Sequence, residues 1–147
     1  MAIGNRQSAM YAAAALLSVL GLADAIYLTI EHVTGQSVRC TIIAGCSEVL
    51  SSSYAVVAGI PLALIGAAAY FGVFSLSTLA AFGYRWAATL LTPLTVAMFV
   101  VSLWLIYLQA FVIRAFCQFC LFSAAITFCL LVVVLLSHGL HRSQKSV

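Results

Sequence analysis

Four of the five cysteines in this chain fall into two pairs, Cys40 with Cys46 and Cys117 with Cys120. Thiols so arranged can form, break and exchange disulfides. Cys117-Gln118-Phe119-Cys120 is a C-x-x-C at the point where an apolar run begins. On a helix, spacing i to i+3 puts both sulfurs on one face, and the free N–H groups of a helix N-terminus stabilise a thiolate. At a rise of about 1.5 Å per residue, Cys120 is predicted to lie roughly 4 to 5 Å deeper than Cys117, with one sulfur toward water and the other toward lipid. The plain alternatives for this pair are a static staple, or two small residues that happen to pack three apart. Taken alone, Cys40/Cys46 reads as a structural disulfide of a non-reducing compartment. Two pairs on one predicted membrane face point instead to exchange between them, as a thiol–disulfide relay.

The elements that must position these thiols are membrane helices. The chain has 147 residues, is 65% hydrophobic and only 6% charged, and its mean hydropathy of +1.21 is far above that of a water-soluble domain. Roughly 20 apolar residues cross a bilayer, so this length holds about four spans and no second soluble domain. The expected fold is all-α, a single integral membrane four-helix bundle over 1–147, with spans near 9–30, 59–82, 87–112 and 117–137. The N-terminal apolar stretch resembles a secretory signal, but no cleavage site precedes Asp24 and Glu31, so it is expected to be a retained helix.

The one substantial loop, 31–58, carries Cys40 and Cys46 between the first and second spans. Its mixture of Gly, Ser and charged residues cannot lie in lipid as irregular backbone. Ser47 is expected to cap a short helix over 48–53 that settles at the interface with Tyr54, Val56 and Val57 and roofs a cavity. Pro61 suits the first turn of the second span, and Pro93 is expected to kink the third. Arg6, Arg85, Arg142 and Lys145 fall on one side and Arg39 and Arg114 on the other. The positive-inside rule then puts the termini in the cytoplasm and the cysteine loop outside. A bacterial inner membrane with a periplasmic loop is the favoured setting, an endoplasmic reticulum lumen its eukaryotic counterpart. The net charge of +3 is dispersed, which excludes a nucleic-acid patch.

Other residues are weighed singly. Asp24, inside the first span, faces the bundle either to move protons or to bond a neighbouring helix near the interface. Cys129 lies mid-helix with no partner cysteine and is expected only to pack. His32, His138 and His141 do not form a metal-ligand pattern, because two belong to the tail and one to the opposite face. No metal is expected.

Taken together, several features resemble the vitamin K epoxide reductase family. They are Cys40 and Cys46 with five residues between them, a serine six beyond Cys46, a Gly-Ile-Pro-Leu-Ala-Leu-Ile-Gly run leading into the second span, and C-x-x-C opening the fourth. The resemblance runs from about Ala9 to Leu136. The other type of quinone-coupled membrane thiol oxidase has the two pairs in the reverse order. By this resemblance Cys117 and Cys120 are the active-site pair, with Cys120 reacting with quinone and Cys117 exchanging with the loop. Cys40 and Cys46 are the shuttle pair, and Ser52 is the serine near the quinone, although Ser51 and Ser53 adjoin it.

The resemblance implies a membrane thiol oxidase that supports disulfide formation. A partner's electrons pass through Cys40/Cys46 and Cys117/Cys120 to ubiquinone, menaquinone or phylloquinone. A thioredoxin-like domain, fused in some members, is not found among these residues, so the expected partner is a separate thioredoxin-fold protein of the periplasm or lumen. In vertebrate members an asparagine precedes Ile-Phe-Gly in the second helix and a tyrosine follows the C-x-x-C by four residues. Leu62 and Ala124 stand in those places, which turns the expectation away from vitamin K epoxide as substrate. Epoxide reduction and a cysteine-using metal transporter are the alternatives.

Overall fold

The computed structural model describes residues 4–36, 40 and 45–146. Arg39, used above to orient the chain, lies outside them. Among the described residues, four helices are long and apolar enough to cross a membrane: Asn5–Thr34, Leu62–Ala81, Arg85–Ile113 and Gln118–Ser143.

Helix α1, Asn5–Thr34, continues through Glu31-His32-Val33-Thr34, residues whose polarity assigns them to the loop. Nothing in those residues breaks a helix. The chain turns only at Gly35, at φ 69°, where its N–H bonds back to the carbonyls of Glu31 and His32. The buried positions of α1 are Gln7, Tyr11, Ala14, Ser18, Gly21, Asp24, Ala25 and Leu28, three or four residues apart, as one face of a helix requires. Most are small, which lets helices approach closely where the hydrophobic effect gives no drive between them. At Gly21 the approach is extreme, since a Cβ there would run into the Tyr70 ring.

The loop folds more than expected. Helix α2 covers Cys46–Ser51 and follows Gly45, with no side-chain cap, so the predicted Ser47 cap over 48–53 is corrected by two residues. A 3-10 turn, Ser53–Ala55, leads into a hairpin of β1, Val56–Val57, and β2, Ile60–Pro61, which sequence reading missed. Val57 pairs with Ile60, leaving Ala58 and Gly59 as the turn, both at positive φ (52° and 82°). That is the backbone of a tight two-residue hairpin connection. Pro61 immediately precedes α3, Leu62–Ala81.

Helix α4, Arg85–Tyr107, holds Pro93 in its interior and passes into a π-helical turn, Leu108–Ile113. Arg114, at φ 57°, ends it. Helix α5 runs from Gln118 to Lys145, well beyond the expected 137, so His138 and His141 are helical rather than tail residues. His138 Nε2 lies 2.6 Å from Thr92 Oγ1 on α4.

Helix α1 packs on α3 and α5, and α4 packs on α3 and α5. Tyr11, Ala14, Tyr70, Val73, Leu91, Leu130 and Val134 lie at the centre of this core. Buried hydroxyls of Ser18, Ser77, Thr95 and Ser137 donate to carbonyls of their own helices, the satisfaction that hydrocarbon demands. Leu16, Phe71, Val100, Trp104 and Leu135 point outward and are exposed, as side chains meeting lipid tails should be. Cys129 is among the exposed residues.

Candidate functional site

A second, smaller core of Leu28, Cys46, Val49, Ala115 and Cys117, with Cys40 and Cys120 packed against it, occupies the loop end of the bundle. Both cysteine pairs are therefore in one cluster. The sulfurs of Cys40 and Cys46 are bonded, with Cα atoms 5.9 Å apart, while Cys117 and Cys120 are thiols. Cys40 is half-buried, Cys46 only 1% exposed and Cys117 fully buried. The expectation that Cys117 meets water is corrected, because the loop lies over it.

Gly45 brings the loop this close. A Cβ at Gly45 would stand 2.5 Å from the Phe116 carbonyl oxygen and 2.9 Å from its nitrogen, and backbone cannot give way as a flexible side chain can. The residue before Cys46 is thus seated on the residue before Cys117. Gly45→Ala is expected to lift α2 from this seat. The predicted cost is about 1–3 kcal/mol of local overpacking, with slower disulfide exchange between Cys46 and Cys117 in a single-turnover thiol-trapping experiment.

Cys117 is the residue before α5, outside the span. Its N–H donates to Gln109 Oε1 at 2.9 Å, and its carbonyl accepts from Leu121 N–H at 3.0 Å. Gln109, 2% exposed, belongs to the π-helical turn, whose extra residue per turn re-aims side chains. Sequence reading missed it. Its signal was a lone amide inside a long apolar run.

The Cys117 thiol is lowered from its ordinary value to about 7. A hydrogen bond from the Cys120 thiol is the leading cause, backbone N–H groups of Cys120 and Phe119 add to it, and burial and the Asp24 charge oppose it. Thiolate therefore dominates above about pH 7 and thiol below it. Titration of the ultraviolet thiolate absorbance is expected to show a midpoint near 7, which moves up toward the ordinary 9.0 once Cys120→Ala removes the hydrogen-bond donor, both read in a background with Cys40→Ala and Cys46→Ala so that Cys117 stays a free thiol.

Below the cluster, between α1, α3, α4 and α5, lies a cavity of about 130 Å³. Val49 and Leu50 of α2 and Ser52 roof it, and Leu28, Leu62, Leu105 and Ile106 supply apolar walls. Cys120 opens onto it and Cys117 does not. Of the three adjacent serines, Ser52 lines the cavity, and its hydroxyl donates to the Val49 carbonyl at 2.6 Å. Leu62 is part of the wall, and Ala124 is not. His32, expected on the membrane face opposite His138 and His141, lines the cavity from the loop end of α1.

The floor carries polar groups that sequence reading passed over. Tyr70 Oη donates to the Ser123 carbonyl at 3.0 Å and lies 2.7 Å from Ser123 Oγ and 3.1 Å from Thr127 Oγ1. Cys120, Ser123 and Thr127 stand three and four apart on α5, one helix face running inward from the thiol. Among the described residues no group of three or more His, Cys, Asp or Glu side chains could hold a metal ion.

This geometry meets an independent sequence comparison. The model of the vitamin K epoxide reductase family matches residues 12–135. The chain belongs to that family. Within this vitamin K epoxide reductase family member, a stretch of 55 residues, 37% of the chain, is 49% identical to the thiol-disulfide oxidoreductase LTO1 of Arabidopsis thaliana. That stretch covers 15% of the relative's length. The family match takes in all four paired cysteines, the roof of the cavity and most of the four long helices.

Proposed function

We propose that this protein is a membrane thiol oxidase and quinone reductase, which takes electrons from a thioredoxin-fold protein and passes them to a membrane quinone. The observation that carries this reading is the position of Cys120. It faces an apolar cavity inside the bundle, while its partner Cys117 is buried beneath the loop disulfide. A flat apolar ring with two carbonyl oxygens suits such a cavity, which combines hydrocarbon walls with a few polar groups, as small-molecule sites do.

In the proposed sequence a partner thiolate attacks Cys40, the more accessible sulfur of the loop pair, and releases Cys46. Reduced Cys46 then attacks Cys117 of an oxidised Cys117/Cys120 pair, and Cys120 leaves. The partner's second thiolate attacks the partner sulfur of the mixed disulfide, so that the partner leaves oxidised and Cys40 is freed; Cys40 then resolves the Cys46–Cys117 bond, for which Cys117 is a good leaving group because its thiolate is stabilised. The electron pair ends on quinone as the Cys117–Cys120 bond re-forms. The roof of α2 and Ser52 excludes water meanwhile. Leu62 offers no polar contact from the cavity wall, which supports quinone over vitamin K epoxide as the acceptor.

The thioredoxin-like name of the partner and the periplasmic or lumenal side follow the sequence reading. LTO1, by its name a thiol-disulfide oxidoreductase, supports the thiol chemistry. The test is quinone reduction by the purified protein in lipid nanodiscs, driven by a reduced thioredoxin-fold protein. One quinol per disulfide formed is expected, for ubiquinone or menaquinone analogues. Absence of thiol-dependent quinol formation with every quinone tried removes the reading.

A further inference from the structure

Asp24 is a carboxyl set within a membrane span, where an ionisable side chain is costly and calls for a reason. It is only 9% exposed. Among the described residues no hydrogen bond or ion pair reaches it, so a role in bonding a neighbouring helix has no support in the structure. It lines the same cavity as Cys120, Tyr70 and Ser123. Its charge acts electrostatically on Cys117, Cys120 and Tyr70 alike. Asp24, Leu28 and His32 follow one another at i, i+4 and i+8 on α1, and all three line the cavity. One face of α1 thus presents two titratable groups to it, one deep and one near the loop.

Resting on the quinone-reducing reading above, the geometry points to Asp24 as the group that carries protons to the quinone oxygens. Oxidation of the Cys117 thiolate and the Cys120 thiol breaks one S–H bond, forms one S–S bond and releases two electrons and one proton. Reduction of quinone to quinol takes up both electrons and forms two O–H bonds. The Asp24 carboxylate accepts the proton that leaves Cys120, gives it to one quinone oxygen and returns to carboxylate. The second proton, left to water when Cys117 departed from Cys46 as a thiolate, returns from the loop side by the same carboxyl to the second oxygen. No oxidant besides the quinone is required, and beneath the roof of α2 and Ser52 the carboxyl shares the cavity with the Cys120 thiol from which the first proton leaves. Tyr70, held by Ser123 and Thr127, keeps the floor polar beside the carboxyl.

The test compares Asp24→Asn, nearly the same in shape but unable to carry the proton, with Asp24→Glu. In nanodiscs with a reduced dithiol and a short-chain quinone, Asp24→Asn is expected to lower kcat about 100-fold, the scale of general acid–base assistance, with KM within about twofold. Asp24→Glu is expected to recover most of kcat. A second readout does not depend on turnover. The redox-induced infrared difference spectrum should contain a carboxyl C=O band that Asp24→Asn lacks and Asp24→Glu shifts. Exchange between Cys46 and Cys117, followed by thiol trapping, should persist in both variants and shows that they are folded.

An Asp24→Asn variant with wild-type kcat, a loss that Asp24→Glu does not recover, or a spectrum in which the carboxyl band survives Asp24→Asn each overturns the proposal while leaving quinone reduction standing. A wild-type protein that reduces no quinone overturns both.

Discussion

Cys120→Ala is expected to lower thiol-dependent quinone reduction by about three orders of magnitude or more and to leave a Cys46–Cys117 disulfide in its place. Cys120 is the thiol that opens on the cavity, so its loss removes the contact between the relay and the acceptor. Cys117 keeps its position, since its N–H still meets Gln109 and the loop still covers it. Without the Cys120 hydrogen bond Cys117 is a stronger nucleophile and a poorer leaving group, so once it attacks Cys46, which Gly45 seats against the adjoining backbone, Cys40 no longer displaces it. Peptide mapping without reduction should therefore find Cys46 linked to Cys117 and Cys40 free. Cys117→Ala should abolish turnover as fully, because the members of one relay act as a unit, yet yield no such link. Turnover near the wild-type rate in Cys120→Ala, or a link from Cys40 rather than Cys46, would falsify this order of transfer.

The second large effect concerns the entrance of the relay. Cys46→Ala should abolish turnover with a thioredoxin-fold donor, and its free Cys40 thiolate should capture a donor that keeps a single active-site cysteine, supplied as the mixed disulfide with thionitrobenzoate, which leaves as the thiolate. The donor can reach Cys40, which is half-buried, whereas Cys46 is 1% exposed and faces inward. Without Cys46 the mixed disulfide at Cys40 has no resolving thiol, and Cys117 is fully buried beneath the loop. A small dithiol should sustain only slow turnover in this variant, since it has to reach Cys117 through openings of the loop. Cys40→Ala should form no stable donor complex. Nonreducing electrophoresis followed by identification of the attached cysteine reads the outcome. Donor attached to Cys117 in Cys46→Ala would mean that the loop does not guard the inner pair.

Much of the site is visible in residue spacing alone. Cys117 and Cys120 are three apart at the start of an apolar run, and no arrangement of a helix can separate them to opposite faces. Ser52 was singled out together with its two neighbours, and only the fold distinguishes them, because the short helix Cys46–Ser51 ends where Ser52 turns toward the cavity. Gly45, Gln109 and Tyr70 were not legible. Each acts on a residue far from it in the chain: Gly45 on Phe116, Gln109 on Cys117 across a bulged turn, Tyr70 on Ser123 and Thr127 of another helix. Single-sequence patterns report which face a residue is on, and contain no record of what that face meets.

The hairpin was missed for a related reason. Val56-Val57 and Ile60-Pro61 are too short to show a two-residue alternation, and Ala58 is an uncommon choice at positive φ. Helix ends were displaced because α1 and α5 continue through polar residues that lie beyond the hydrocarbon, and hydropathy marks the edge of the lipid rather than the end of the hydrogen-bond ladder.

Apolar run length by itself determined that the chain is a set of membrane helices with its four paired cysteines at one end, because the bilayer permits few other ways to satisfy a backbone. Tertiary structure alone decided that Cys117 is covered and Cys120 open to a cavity, and that Asp24 shares that cavity with His32 and Tyr70. Those facts depend on which helix faces meet and how closely. Small residues such as Gly21 and Gly45 settle that through contacts with side chains and backbone dozens of positions away.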